Sequence, residues 1–302
     1  MLCRQTTRCL TVLAPAKLNL FLRIVARRPD GFHDIESVMA SVDLYDTVTL
    51  ETTSSSEIEL TVIDSSVRTL SGSMRLEAPV GPENLVIRAA DLLRQHAGCE
   101  LGARITLIKR IPSSAGLGGG SSDCAAALMG LNRLWNLHLP RSELVALAGR
   151  LGSDVAFFLS ESPVALCVGR GEQVEPLRIS TGLHFVVTKP ASGLPTPAVY
   201  QRCVPDASGQ QVSGFVKSLA AGTIGGMARR LHNGLQAPAE SLSSEVSRLR
   251  QLFEQLPVAG HQMSGSGSSY FGLCASRRQA LRVASRLRSL GIPWVQVARC
   301  CP

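Results

Sequence analysis

A chain of 302 residues, 45% hydrophobic and 4% aromatic, has an ordinary α/β composition and is long enough for two domains or one large one. No run approaches the length of a membrane span, and the first residues lack the apolar core of a signal peptide, so a cytoplasmic protein without membrane contact is expected. The net charge of +8 raises the question of nucleic acid, but aromatic interleaving is absent and Arg278, Arg282 and Arg286 form one helical stripe opposite Leu281, Ala284 and Leu287. That pattern is a solvated face; no nucleic-acid partner is expected, and attraction of anionic substrates is the better use of the charge. The nine cysteines show no C-x-x-C spacing and the histidines are scattered, which argues against zinc and against a disulfide framework.

Residues 10–25 alternate towards apolar and predict a strand, a turn broken at Pro15 and a second strand. Lys17 and Asn19 stand two apart and share a face opposite Leu18 and Leu20. Pro29-Asp30-Gly31 is turn chemistry, with Phe32 and His33 directly after it. Strands are expected at 37–43, 46–51 and 57–63, then a Ser/Gly/Pro-rich surface excursion over 64–82 and an amphipathic helix starting at Asn84.

A strand over 105–111 feeds the stretch Pro112-Ser113-Ser114-Ala115-Gly116-Leu117-Gly118-Gly119-Gly120-Ser121-Ser122, which runs into an Ala/Leu-rich helix at 122–135. Glycine permits positive φ and close approach of backbone to a ligand. Ser121 or Ser122 can cap the helix, whose first N–H groups and dipole then favour an anion in the loop. A Gly/Ser linker is the plain alternative, but a linker need not be joined to a helix start. The loop lacks the Lys of a Walker A sequence, the third Gly of the dinucleotide pattern and the companion motifs of protein kinases. By itself it indicates the phosphate of a nucleotide.

Further on, helices are expected at 141–150 and from Ser153, the expected N-cap before Asp154-Val155, with strands at 164–168 and 172–176. A second unit begins with a strand at 184–188 and a Pro-rich loop over 190–197. After a polar loop at 204–214 come helices at 215–221, 225–232 and 241–256. The end reads strand (258–262), Ser/Gly loop, strand (270–274), helix (276–290), strand (294–299), the order of half a ferredoxin-like sandwich.

Pro15-Ala16-Lys17-Leu18-Asn19-Leu20, the glycine loop and Met263-Ser264-Gly265-Ser266-Gly267 stand in this order in the chain. Together they resemble the small-molecule kinases grouped with galactokinase, homoserine kinase, mevalonate kinase and phosphomevalonate kinase. Pro29-Asp30-Gly31-Phe32-His33, Pro82-Glu83-Asn84-Leu85, Leu151-Gly152-Ser153-Asp154-Val155 and Pro195-Thr196-Pro197 make the pattern most similar to the 4-diphosphocytidyl-2-C-methyl-D-erythritol kinases, over nearly the whole chain. The resemblance implies an α+β, two-domain small-molecule kinase fold: an N-terminal ATP-binding and catalytic domain (1–180), a C-terminal ferredoxin-like domain (181–302), and the active site between them. It implies ATP-dependent phosphorylation of the 2-hydroxyl of the cytidine-diphosphate substrate.

The roles it implies fall on residues of this chain one by one. Asp154 would accept the hydroxyl proton, and Lys17 would hold Asp154 and stabilise developing charge. Pro112 to Ser122 would wrap the triphosphate, with Asn84 and Lys109 near the nucleotide. His33 would read the cytosine edge between the rings of Phe32 and Tyr200, and Asn19 and Thr196 would touch the diphosphate or erythritol. Mg²⁺ would be carried mainly on the nucleotide, since no carboxylate pair is dedicated to a metal. Two positions depart from the family: Phe32 stands where Tyr is common, and Cys124 where Ala is common.

Each role has a plainer alternative: a first-turn helix acid for Asp154, a core histidine for His33, a solvated strand-edge cation for Lys17. The last is weakened because the chain has four lysines among 31 Lys plus Arg, so a lysine marks a place where a guanidinium would not fit. Another kinase of the same group, of the homoserine or mevalonate type, would share the glycine loop without Gly31-Phe32-His33. A non-catalytic sensor on the fold would be expected to lose Lys17 or Asp154. A monomer or a homodimer suits the pattern.

Overall fold

The computed structural model describes residues 1–6, 9–65, 67–69, 72–74, 79–160, 162–205 and 209–301. Two long strands set its frame. β1 (Leu2–Gln5) pairs antiparallel with β2 (Cys9–Arg27), and β2 pairs along its length with β3 (His33–Thr52). The break expected at Pro15 is not there. Pro15 lies opposite Tyr45 at a register shift, so its missing N–H falls where the ladder is already irregular. With β2 unbroken, the two strands expected at 37–43 and 46–51 merge into β3.

The first half continues through β4 (Ile58–Asp64), a short hairpin of β5 (Val67–Thr69) and β6 (Gly72–Met74), α1 (Leu85–Ala97), β7 (Ala103–Lys109), α2 (Gly119–Leu134), α3 (Arg141–Leu151), α4 (Val155–Leu159), β8 (Val164–Gly169) and β9 (Gln173–Pro176). The excursion expected over 64–82 lies partly outside the described residues. β3 serves two neighbours: residues 47–52 pair with β7 and residues 35–40 with β8, while β4 joins β7 in parallel. Helices α1 to α4 cover one face of this sheet. α2 is buried almost all round, which explains its small residues Ala125, Ala126 and Ala127.

The second half runs β10 (His184–Lys189), α5 (Thr196–Arg202), α6 (Val212–Ala220), α7 (Ile224–Ala228), β11 (His232–Asn233), α8 (Gln236–Leu242), α9 (Ser244–Glu254), β12 (Gly260–Met263), β13 (Tyr270–Cys274), α10 (Arg277–Ser289) and β14 (Trp294–Arg299). The helix expected at 241–256 is two helices meeting at Ser243, whose backbone is extended. β12, β13, β10 and β14 lie side by side in that order, all antiparallel, which is ferredoxin-like connectivity and bears out the α+β expectation. α10 buries Ala280, Val283, Ala284 and Leu287, but Leu281, expected among them, is exposed on the arginine side.

Among the described residues the apolar side chains form three cores, and β2 enters all of them. Leu10, Val12 and Ala14 pack under α1 and α2; Ala16, Leu18 and Leu20 pack against the second sheet; Leu22 and Ile24 reach the core under α9 and α10. β11 pairs in parallel with β2 at Phe21 and Leu22. Among the described residues no helix is long and apolar enough to cross a membrane.

Candidate active site

Three loops converge on the middle of β2: the glycine loop before α2, the turn before α4, and the loop joining β12 to β13. With residues of β2, β3 and α5 they line a cleft of about 630 Å³. The glycine loop is tied down on two sides. The Lys17 N–H donates to Leu117 O at 2.9 Å, Ser264 Oγ donates to Gly116 O at 2.9 Å, and the Ser269 N–H donates to Ala115 O at 3.1 Å. Gly116 and Gly118 have φ of +70° and +69°, where a side chain is strained. A Cβ would also lie 2.0 Å from Ser264 O at position 116 and 2.8 Å from Lys17 Cγ at position 118.

α2 starts at Gly119, inside the glycine run. Its first internal bond is the Ser122 N–H to Gly118 O, so the amides of Gly119, Gly120 and Ser121 have no acceptor within the helix. No acidic side chain occupies the first turn. These donors and the dipole of a 16-residue helix favour an anion. Neither Ser121 nor Ser122 caps the helix as expected: left-handed Gly118 turns the chain into it, and both serines sit in the first turn. Ser121 lines the cleft, as do Pro112, Ser113, Ser114, Ala115, Leu117 and Gly120, whereas Ser122 is buried outside it.

Lys17 is buried, its Nζ donating to Asn19 Oδ1 at 2.5 Å and lying 3.3 Å from Asp154 Oδ2. The shared face read from their spacing is therefore real. Asn19 is fixed in turn, because its Nδ2 donates to Ser37 Oγ at 2.8 Å, and Ser37 Oγ donates to Phe21 O. This orients the amide oxygen towards the ammonium. Asp154, rather than Ser153, stands at the N-cap position of α4, yet its side chain makes no capping bond. With 27% of that side chain exposed, the carboxylate faces both Lys17 and the cleft.

At the other end of the cleft, His33 is buried with its ring 5.2 Å from that of Tyr200 and its Nε2 3.5 Å from Cys203 Sγ. Burial, helped by the charge of Arg27, lowers its pKa, which keeps the imidazole neutral near pH 7. Thr196 Oγ1 and Ser266 Oγ are 2.8 Å apart, joining α5 to the third loop. Phe32 and Tyr200 both line the cleft, but Tyr200 packs on His33, and Phe32, half exposed, carries the Arg170 guanidinium over its ring at 5.0 Å. Arg170 was not expected from sequence; the only sign was its place between Gly169 and Gly171 in a tight turn.

Two residues expected near the nucleotide adjoin the cleft without lining it. Asn84 caps α1, its Oδ1 accepting from the Val86 N–H at 2.9 Å and its Nδ2 donating to Pro79 O at 2.6 Å. Its amide is consumed by the helix start. Lys109 is buried beneath the glycine loop, its Nζ bonded to Asp46 and, at 2.7 Å, to Asp123. Asp46 Oδ1 also accepts the Arg110 and Ile111 N–H groups, so this cluster anchors the strand that leads into the loop. Burial pushes the Asp123 carboxyl up to about 7 against the pull of Lys109. With both carboxylates ionised the cluster would hold an excess negative charge in the interior, and a proton on Asp123 removes it.

Comparison with known proteins gives a consistent answer. Residues 84–162 match the family model described as "GHMP kinases N terminal domain", and residues 215–292 match "GHMP kinases C terminal". The chain is 38% identical over 281 residues to the 4-diphosphocytidyl-2-C-methyl-D-erythritol kinase of Pelotomaculum thermopropionicum, covering 92% of this chain and 94% of the relative. The crystal structure of a 4-(cytidine 5'-diphospho)-2C-methyl-D-erythritol kinase superposes with a TM-score of 0.79 at 35% identity, covering 97% and 99% of the two chains. Homoserine kinase from Cytophaga hutchinsonii shares the fold, with a TM-score of 0.76 at 19% identity over 100% of this chain and 97% of that one. The glycine loop, the Lys17–Asp154 pair and the full-length likeness agree: the chain belongs to the 4-diphosphocytidyl-2-C-methyl-D-erythritol kinase family of the GHMP kinases.

Proposed function

We propose that this chain transfers the γ-phosphoryl group of ATP to the 2-hydroxyl of 4-diphosphocytidyl-2-C-methyl-D-erythritol, a step of the non-mevalonate route to isoprenoid precursors. The observation that carries the reading is the Lys17–Asp154 pair, 3.3 Å apart, in a cleft with a phosphate-type loop at one side and a His/aromatic cluster at the other. Residues 1–180 then form the ATP-binding and catalytic unit and residues 181–302 the ferredoxin-like substrate unit.

In this reading Asp154 takes the hydroxyl proton as the substrate oxygen attacks the γ-phosphorus. The bond from that phosphorus to the β–γ bridging oxygen breaks, and ADP leaves. Lys17 orients Asp154, and its ammonium stabilises charge growing on the transferred group. The free amides of Gly119, Gly120 and Ser121, with the dipole of α2, hold the triphosphate. A neutral His33 can donate from one ring nitrogen and accept at the other, as a base edge requires. Asn19 and Thr196 contact the rest of the substrate.

Among the described residues Asp154 is the one carboxylate lining the cleft, beside several hydroxyls including Ser121. Such a donor set fits Mg²⁺ held mainly by phosphate oxygens and water, with Asp154 and Ser121 as the protein groups at hand. When bound, the ion neutralises phosphate charge. The deciding assay is ATP consumption with 4-diphosphocytidyl-2-C-methyl-D-erythritol, homoserine and mevalonate side by side. Turnover with the first alone is expected; turnover with either of the others in its place overturns the proposal.

A further inference from the structure

The cleft that we read as taking two nucleotides has few cations to receive them. Among the described lining residues only Lys17 and Arg170 carry a fixed positive charge. Lys17 is committed to Asn19 and Asp154 at one end. The amides at the start of α2 suit one chain of phosphates, that of ATP. A substrate diphosphate brings further negative charge between the base cluster and the reacting hydroxyl, and this charge must be met in a partly closed site.

Arg170 is the other cation lining the cleft. It occupies the turn between β8 and β9, flanked by Gly169 and Gly171 at φ of +72° and +113°, which lets the turn close tightly. A Cβ on Gly171 would sit 3.5 Å from Ser153 Cβ, so this turn packs beside the residue preceding Asp154. The guanidinium lies over the Phe32 ring at 5.0 Å, which ties this turn to the base side of the cleft. Its tether is loose: the Arg170 N–H donates to Glu172 Oε2 at 2.7 Å, while Nε is 3.8 Å from Glu172 Oε1. Asp30 also feels its charge. A planar fork with no side-chain hydrogen bond to the described residues, stacked on an aromatic face and partly exposed, is organised to clasp phosphate oxygens.

We propose that Arg170 is a substrate-positioning residue that binds the diphosphate of the cytidine nucleotide. This rests on the functional reading above and assigns a specific subsite within it. Arg170 touches substrate phosphate and takes no part in proton transfer.

The test is competitive binding of cytidine, CMP and CDP to the wild type, Arg170→Gln and Arg170→Lys, with KM for ATP measured on each. In the wild type CDP is expected to bind on the order of ten- to a hundredfold more tightly than cytidine, as charge-assisted hydrogen bonds would give. Arg170→Gln should reduce that ratio to within a few-fold while leaving cytidine itself, KM for ATP and the thermal midpoint close to wild type. Arg170→Lys, which keeps charge and loses the plane, should restore part of the ratio. Equal weakening of cytidine and CDP in Arg170→Gln would leave only a platform for the ring and overturn the phosphate assignment. An unchanged CDP-to-cytidine ratio, or an effect on ATP alone, would overturn it too. If wild-type protein discriminates by phosphate number but catalysis fails with the cytidine-diphosphate substrate, the functional reading fails while the subsite stands.

Discussion

Asp154 makes no hydrogen bond to the helix it precedes, so Asp154→Asn should leave α4 intact while removing the proton acceptor and the ion-pair partner of Lys17. The expected result is a kcat lower by about two to four orders of magnitude in a variant that keeps the native secondary structure; a variant with near-wild-type kcat would reduce Asp154 to a bystander. Lys17 is crowded instead. Cβ atoms built on Gly118 and Gly265 would lie 3.2 Å from its Cε and Nζ, which measures how closely those backbones press on the side chain. Lys17→Arg is therefore expected to be no more active than Lys17→Ala, despite keeping the charge, since the fork has no room. Recovery of activity in the arginine variant would contradict this. Lys17, Asn19 and Asp154 were legible in the sequence because their neighbours form recognisable short motifs. The helix-capping and ion-pair partners of Asn84 and Lys109 were not legible, because no local pattern reveals them; Asp46 lies 63 positions from Lys109. Arg170 was missed for a similar reason, its aromatic partner being far away in the chain.

At the level of elements, α2 and the loop before it act as one rigid piece. Gly118→Val forces a branched side chain onto left-handed backbone and drives its Cβ into Lys17. The expected kinetic signature is a rise in KM for ATP together with at least a tenfold fall in kcat, because loop and catalytic lysine move together. A change confined to KM for ATP would mean that the loop shifts without disturbing Lys17. Underneath, the Lys109 cluster gives α2 a pH dependence of known sign. Burial raises the Asp123 carboxyl well above its ordinary 3.8, so its contribution to stability is full at low pH and is lost as pH rises through the folded-state value. Asp123→Asn should flatten the fall in urea midpoint between pH 5 and pH 8; a steeper fall in the variant would reverse the assignment. Periodicity located most of these elements and mistook several boundaries, two of them for clear physical reasons. A proline at a bulge does not end a strand, and a left-handed glycine can open a helix without a side-chain cap.

Over the whole molecule, the ferredoxin-like half was legible because its last strands and helix are short, strongly patterned and adjacent in sequence. The way it joins the first sheet was not. β11 is two residues long and pairs with a strand more than two hundred positions earlier, a contact set by packing and not by local preference. The result is that β2, which carries Lys17 and Asn19, is held by β3, by β11, by the glycine loop and by all three cores. In hydrogen exchange, the amides from Leu18 to Leu22 should therefore open only with the entire chain, at the free energy of global unfolding, while the turn at 28–32 and the Arg170 hairpin open at lower cost. Exchange of the β2 amides at the rate of those turns would show a local opening. The catalytic strand thus has no separate melting of its own: on heating, activity and secondary structure should decay with one shared rate constant, and the enzyme should keep its full turnover until the molecules carrying it are lost one by one.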